Sequence, residues 1–178
     1  MLIGIGSNLP GAGGASPLET CRRAAMRLDA LPGLRLSALS RWYSTEAMPR
    51  SCQPAYVNAV AVLRVATGAT EPDPAVLLAW LQAIEADSGR LRTVPNAART
   101  LDLDIIAMGD GGQMVRAAPD PVLPHPRAHE RAFVLGPWRD VDPAAVLPGR
   151  GAVAALLANT DQTGIRRAGI ALSVPEQA

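Results

Sequence analysis

The chain has 178 residues, a formal charge of +1, 48% apolar residues and 19% charged residues. That size fits one domain with a full core, taken as 1–178 with a core at 2–148, and that composition excludes a disordered chain. The near-neutral balance supplies no basic face and argues against a dedicated nucleic-acid binder.

Other exclusions follow from what the sequence lacks. No apolar run approaches membrane-spanning length, and "MLIGIGSNLP" places no basic segment before a hydrophobic stretch. The expectation is a soluble, unexported, cytoplasmic protein with no membrane partner, a monomer by default. Cys21 and Cys52 are too few for a disulfide framework and read as reduced thiols without a chemical role. The chain contains no lysine; all of its side-chain positive charge at neutral pH is arginine. A Walker-type phosphate loop and Schiff-base chemistry are thereby excluded. Arginine remains well suited to phosphate, because its planar fork donates two parallel hydrogen bonds.

In chain order, "LIGIG" at 2–6 reads as a short strand ending in a glycine turn. A helix follows with Ser16 as N-cap, Pro17 at its first position and Glu19 completing a capping box. Leu18, Cys21, Ala25, Leu28 and Leu31 form its apolar stripe, and Pro32-Gly33 stops it. Residues 34–43 and 56–65 have strand composition. A second helix starts at Asp73-Pro74, turns Leu77, Leu81 and Ile84 inward, and ends near Gly89. A strand at 101–107 completes the order β-α-β-β-α-β. That order predicts an α+β, ferredoxin-like sandwich: an antiparallel sheet with two helices on one face. Beyond 108 the chain is proline-rich, with short helices expected around 127–136 and 150–158 as a C-terminal loop and short-helix extension. The tail 149–178 receives no function.

The strand "RTLDLDII" poses the chemical question. Side chains alternate along a strand, so Leu101, Leu103 and Ile105 face one way and Asp102 and Asp104 the other, with Cα atoms about 6.5 Å apart. Spacing alone favours a solvated sheet face. The alternative is a divalent cation site, since magnesium takes one or two carboxylates and completes its shell with water and phosphates. Arg90, Arg92 and Arg99 flank the loop feeding this strand, and carboxylates beside guanidinium groups are the usual kit for phosphoryl transfer. In the strand at 56–65, Tyr56 and Asn58 share a face, a plausible seat for a flat heterocycle read at its edge.

Four blocks, "IGIGSNL", "QPAYVNAV", "RTLDLDII" and "LPHPRAHERAFVL", carry a resemblance to the 6-hydroxymethyl-7,8-dihydropterin pyrophosphokinase family of folate biosynthesis, from residue 2 to about 148. The resemblance implies transfer of pyrophosphate from ATP to the pterin hydroxymethyl group with release of AMP. It implies that Asp102 and Asp104 hold two Mg2+ ions bridging the triphosphate, and that Arg90 and Arg99 reach the phosphates. Tyr56 and Phe133 would sandwich the pterin, while Asn58 and the backbone from Thr45 through Glu46 and Ala47 to Met48 would read its edge. Gln82, Glu85, Arg92, Ile105, His125 and Arg131 would serve ATP. Glu85 is equally compatible with a solvated helix position. Arg127 and His129 fit the block without an assigned role, and Gly6, Ser7 and Asn8 read as a structured turn beneath the site.

Three departures stand out. The loop before the aspartate strand reads "TVPNAA" where the family usually has an arginine-tryptophan pair and Gly-Pro. Pro49 replaces a usual glycine, and the tail matches poorly. Competing readings are a ferredoxin-like ligand sensor without turnover, and a metal-dependent nuclease or nucleotidyltransferase, which would want a basic groove.

Overall fold

The computed structural model describes residues 1–47, 52–91 and 97–168. Helix entry follows the side-chain caps. Ser16 Oγ accepts the Glu19 N–H at 3.2 Å ahead of α1 (Pro17–Asp29), after β1 (Leu2–Ser7). Each such cap stabilises a helix start by roughly 1 kcal/mol. Next come β2 (Leu34–Leu39), β3 (Tyr43–Thr45) and β4 (Tyr56–Val65). Asp73 then caps α2 (Pro74–Asp87) by accepting the Ala75 N–H at 2.8 Å. The remaining elements are β5 (Asp102–Ala107), α3 (Ala132–Val141), β6 (Val146–Leu147), β7 (Gly151–Ala152), α4 (Val153–Ala158) and β8 (Arg166–Arg167).

The fold is α+β with an open antiparallel sheet in the order β5-β1-β4-β3-β8, β2 also pairing with β4. Its first face carries Ile3, Ile5, Leu63, Leu101, Leu103 and Ile105 against Cys21, Ala25 and Leu28 of α1 and Leu77, Leu81 and Ile84 of α2. This is the two-helix face expected from the apolar stripes.

Three features differ from the expectation. The span 34–43 is two strands, because Ser40 interrupts the ladder: its Oγ accepts the Val60 N–H at 2.9 Å and donates to the Arg41 carbonyl at 2.8 Å. Gly6 lies within β1 and not in a turn. The second sheet face is covered too: Leu2, Val60 and Ile106 pack against Val134, Leu135 and Trp138 of α3, with Val153 and Leu157 of α4 beyond. That cover stops short of one end of the sheet, where the face turns from apolar to polar.

Among the described residues, no helix is long and apolar enough to cross a membrane. Cys21 and Cys52 are free thiols, and burial pushes Cys21 up to about 12.

Candidate active site

The polar end of the second sheet face begins with two glycines. Gly4 and Gly6 alternate onto this face of β1, and register places Gly6 between Asn58 and Asp102, and Gly4 opposite Asp104. A Cβ at Gly6 would lie 3.1 Å from Asn58 Oδ1; one at Gly4 would lie 3.3 Å from Ile106 Cδ1. The missing side chains leave a trough floored by main chain. Asp102 and Asp104 form one flank, Tyr56 and Asn58 the other, and Arg131 and Phe133 stand at the α3 end. The rim is Thr45, Glu46, Ala47 and Gln53.

The acidic flank is held by arginines. Asp102 is bracketed: Arg99 Nη1 donates to Oδ2 and Arg90 Nη1 to Oδ1, each at 2.5 Å. Arg90 also pairs with Glu85 and donates to the Leu101 carbonyl at 3.1 Å. Arg131 Nη1 lies 3.8 Å from Asp104 Oδ2, and its guanidinium carbon sits 5.6 Å from the Phe133 ring centroid, within cation–π range. The Asp104 side chain stays 39% exposed along the trough but is walled by protein elsewhere. Burial, reinforced by the charge on Asp102, raises its carboxyl from 3.8 to about 6, and Arg131 only partly offsets this. Asp102 is thus held between two guanidinium groups, while Asp104 opens onto the trough.

The opposite flank is neutral. Asn58 Nδ2 donates to Thr45 Oγ1 at 2.7 Å, which fixes the amide with its Oδ1 above Gly6. Burial raises the Tyr56 phenol, keeping it protonated at neutral pH. An aromatic ring, an oriented amide and a flat glycine floor together form a slot for a planar, hydrogen-bonding ring.

Ser7 and Asn8 knot the loops beneath. Ser7 Oγ donates to the Thr100 carbonyl at 2.6 Å. Asn8 Nδ2 donates to Gln53 Oε1 at 3.3 Å and the Pro54 carbonyl at 3.1 Å, while its Oδ1 accepts the Arg99 N–H at 2.8 Å.

A sequence profile described as 7,8-dihydro-6-hydroxymethylpterin-pyrophosphokinase matches residues 2–143. The chain belongs to this pyrophosphokinase family. It is similar to 2-amino-4-hydroxy-6-hydroxymethyldihydropteridine pyrophosphokinases from Pseudomonas aeruginosa (37% identity, covering 93% of this chain and 94% of that protein) and Pseudomonas putida (39%, covering 71% and 94%). A protein of the same name from Synechocystis is 33% identical, covering 92% of this chain and 77% of that protein.

The other pyrophosphokinase-family positions are placed as follows. Arg90 lies beneath Asp102 and is not on the cleft wall. Glu85 is 2% exposed and accepts the Leu103 N–H at 2.8 Å, so the solvated-helix reading of this residue fails. Gln82 is exposed on α2, away from the cleft lining. The Ile105 side chain is in the core on the opposite face, leaving only its main chain free to approach a ligand near β5. His125 is tied to β5 through its N–H to the Ile106 carbonyl at 2.9 Å. His125 Nδ1 accepts the Arg127 N–H at 3.1 Å, so the proton of the neutral ring resides on Nε2. Burial and Arg131 lower this imidazole to about 4. Met48, Arg92, and the departures at Pro49 and in the 93–98 loop up to Asn96 fall outside the described residues.

Gly4 and Gln53 were not singled out from the sequence. The signal for Gly4 was the i, i+2 glycine spacing in a strand, which leaves one face bare.

For a cation, the donor chemistry fits magnesium: two carboxylates on one strand face beside an open trough. Two carboxylates would leave the remaining ligand positions of such an ion to water and a substrate's phosphates.

Proposed function

We propose that the chain transfers pyrophosphate from ATP to the hydroxymethyl group of 6-hydroxymethyl-7,8-dihydropterin, giving the pterin diphosphate and AMP in folate biosynthesis. Family membership supports the reaction. The observation that carries the site is the trough itself: a planar neutral slot and an arginine-bracketed carboxylate pair, set side by side over Gly4 and Gly6.

In this reading the pterin stacks between Tyr56 and Phe133, with Asn58 and the main chain from Thr45 to Ala47 reading its edge. The substrate hydroxyl oxygen forms a bond to the β-phosphorus of ATP, the bond from that phosphorus to the α,β-bridging oxygen breaks, and AMP leaves with that oxygen. The hydroxyl proton is lost to solvent. Asp102 and Asp104 would hold two magnesium ions, which when bound neutralise triphosphate charge. Arg99 and Arg131, on the cleft wall, give positive charge to the phosphates, and Arg99 exchanges Asp102 for phosphate as the nucleotide enters. His125, neutral and protonated at Nε2, donates a hydrogen bond to a phosphate oxygen. Glu85 and Arg90 hold Asp102 from below.

The test is direct: incubate the protein with ATP, magnesium and 6-hydroxymethyl-7,8-dihydropterin and follow AMP. Pterin binding without AMP, indifferent to magnesium, would favour a sensing domain instead.

A further inference from the structure

The family profile ends at residue 143, and the tail beyond residue 148 is built into the rim of the cleft. After α4, Asp161 Oδ1 accepts the Thr163 N–H at 2.8 Å, turning the chain into Gly164. Gly164 has φ +78, a conformation that L side chains rarely adopt, and a Cβ there would lie 3.1 Å from both Cγ and Cδ of Glu46. β8 then pairs antiparallel with β3, Arg166 opposite Ser44 and Arg167 opposite Tyr43, and the Ala168 N–H donates to the Trp42 carbonyl at 2.8 Å. Arg167 Nη2 lies 3.5 Å from Asp140 Oδ1, and Asp140 Oδ2 accepts the Tyr43 hydroxyl at 2.7 Å.

The consequence is mechanical. β3 ends at Thr45, whose hydroxyl orients the Asn58 amide, and continues into Glu46 and Ala47 on the cleft rim. A three-residue strand has little hold of its own, and β8 supplies its second hydrogen-bonded edge. A second cavity behind the rim shares Thr45, Glu46, Arg131 and Phe133 with the main cleft, and its far wall is the tail at Thr160, Asp161, Thr163 and Ile165. The tail therefore backs the rim from one side while the substrate cleft opens on the other.

We propose that residues 161–168 are a positioning strap for the pterin half of the site, setting the Thr45–Ala47 rim through β8 pairing and through Gly164 packed on Glu46. The proposal rests on the pterin-binding reading above. It separates the two substrates, because the strap touches the rim and not the Asp102 flank. Small misplacements of a positioning group are costly to a site of this kind.

The experiment compares Gly164→Ala and Arg167→Ala with the unmodified protein in steady-state AMP assays, with thermal unfolding measured in parallel. Gly164→Ala is expected to raise KM for the pterin about 5- to 20-fold, and the milder Arg167→Ala about 2- to 5-fold, with KM for ATP unchanged within twofold. Pterin KM within twofold of normal in both variants, with turnover intact, would overturn the strap. So would parallel loss of pterin and ATP affinity together with lowered Tm, which marks a merely structural tail. If Gly164→Ala does not fold, Arg167→Ala decides alone. Absence of AMP formation by the unmodified protein would sink the pyrophosphokinase reading and this proposal with it; normal turnover with indifferent variants would remove only the strap.

Discussion

Gly6 sits opposite Asn58 in the β1–β4 register, and a Cβ at Gly6 would come within 3.1 Å of the Asn58 amide oxygen. Gly6 carries no positive φ, so Gly6→Ala should fold. The added methyl fills the trough and crowds the Asn58 amide, which is proposed to read the substrate edge. KM for the pterin should rise ~10-fold or more, with the Tm within a few degrees of normal. Steady-state kinetics against each substrate, beside a melting curve, checks this; an unchanged pterin KM would mean that the ring binds elsewhere.

Asp102→Asn and Asp104→Asn should each reduce AMP formation at least ~100-fold while leaving the fold intact. Asp104→Asn should also be slightly more stable than the parent at pH 7.5. The folded carboxyl titrates near 6, above its ordinary 3.8, so the native state binds more protons between those values. Its stabilising effect is complete below pH 3.8 and is lost as pH rises through 6. With 39% of the side chain in contact with solvent, screening keeps the gain small, about 1–3 °C in Tm, shrinking toward pH 5. Scanning fluorimetry at the two pH values tests the sign.

His125 gives the opposite slope. Its imidazole titrates near 4 in the folded chain against an ordinary 6.5, so the unfolded chain binds the extra proton between those values. Stability from this residue is present above pH 6.5 and is lost as pH falls toward 4. His125→Gln should flatten that part of the Tm–pH curve, and an NMR titration of the ring should give a midpoint well below 6.

Glu85 is 2% exposed and shared between the Arg90 guanidinium and the Leu103 N–H. Removing it leaves a largely buried cation short of a partner. Glu85→Ala should cost about 3 kcal/mol by urea denaturation. A raised ATP KM without that stability loss would assign Glu85 to nucleotide contact instead.

Much of this architecture was written in local chemistry. Ser16 and Asp73 announced their helices because capping needs only neighbours in sequence, and the alternation around Asp102 put both carboxylates on one face. The break at Ser40 was not legible, because it depends on Val60, a residue of another strand. The cover of the second face escaped too: α3 and α4 have 10 and 6 residues, too short for their periodicity to stand out. At the site, pattern named Tyr56, Asn58 and the aspartates. It could not say that Glu85 would be drawn inside, since that depends on the Leu103 N–H of β5, a contact between two elements. Nor could it foresee β8 on β3, a pairing of residues more than a hundred positions apart.

The Asn8 knot bears on how such chains vary. One amide grips the Pro54 carbonyl and the Arg99 amide at once, so both approaches to the cleft are moored to a single post at the end of β1. A residue gained or lost in the stretch preceding Ala97 is taken up upstream of that mooring, and the register of β5 against β1 does not slip. Loop length can drift between related sequences while the two acidic groups keep their station.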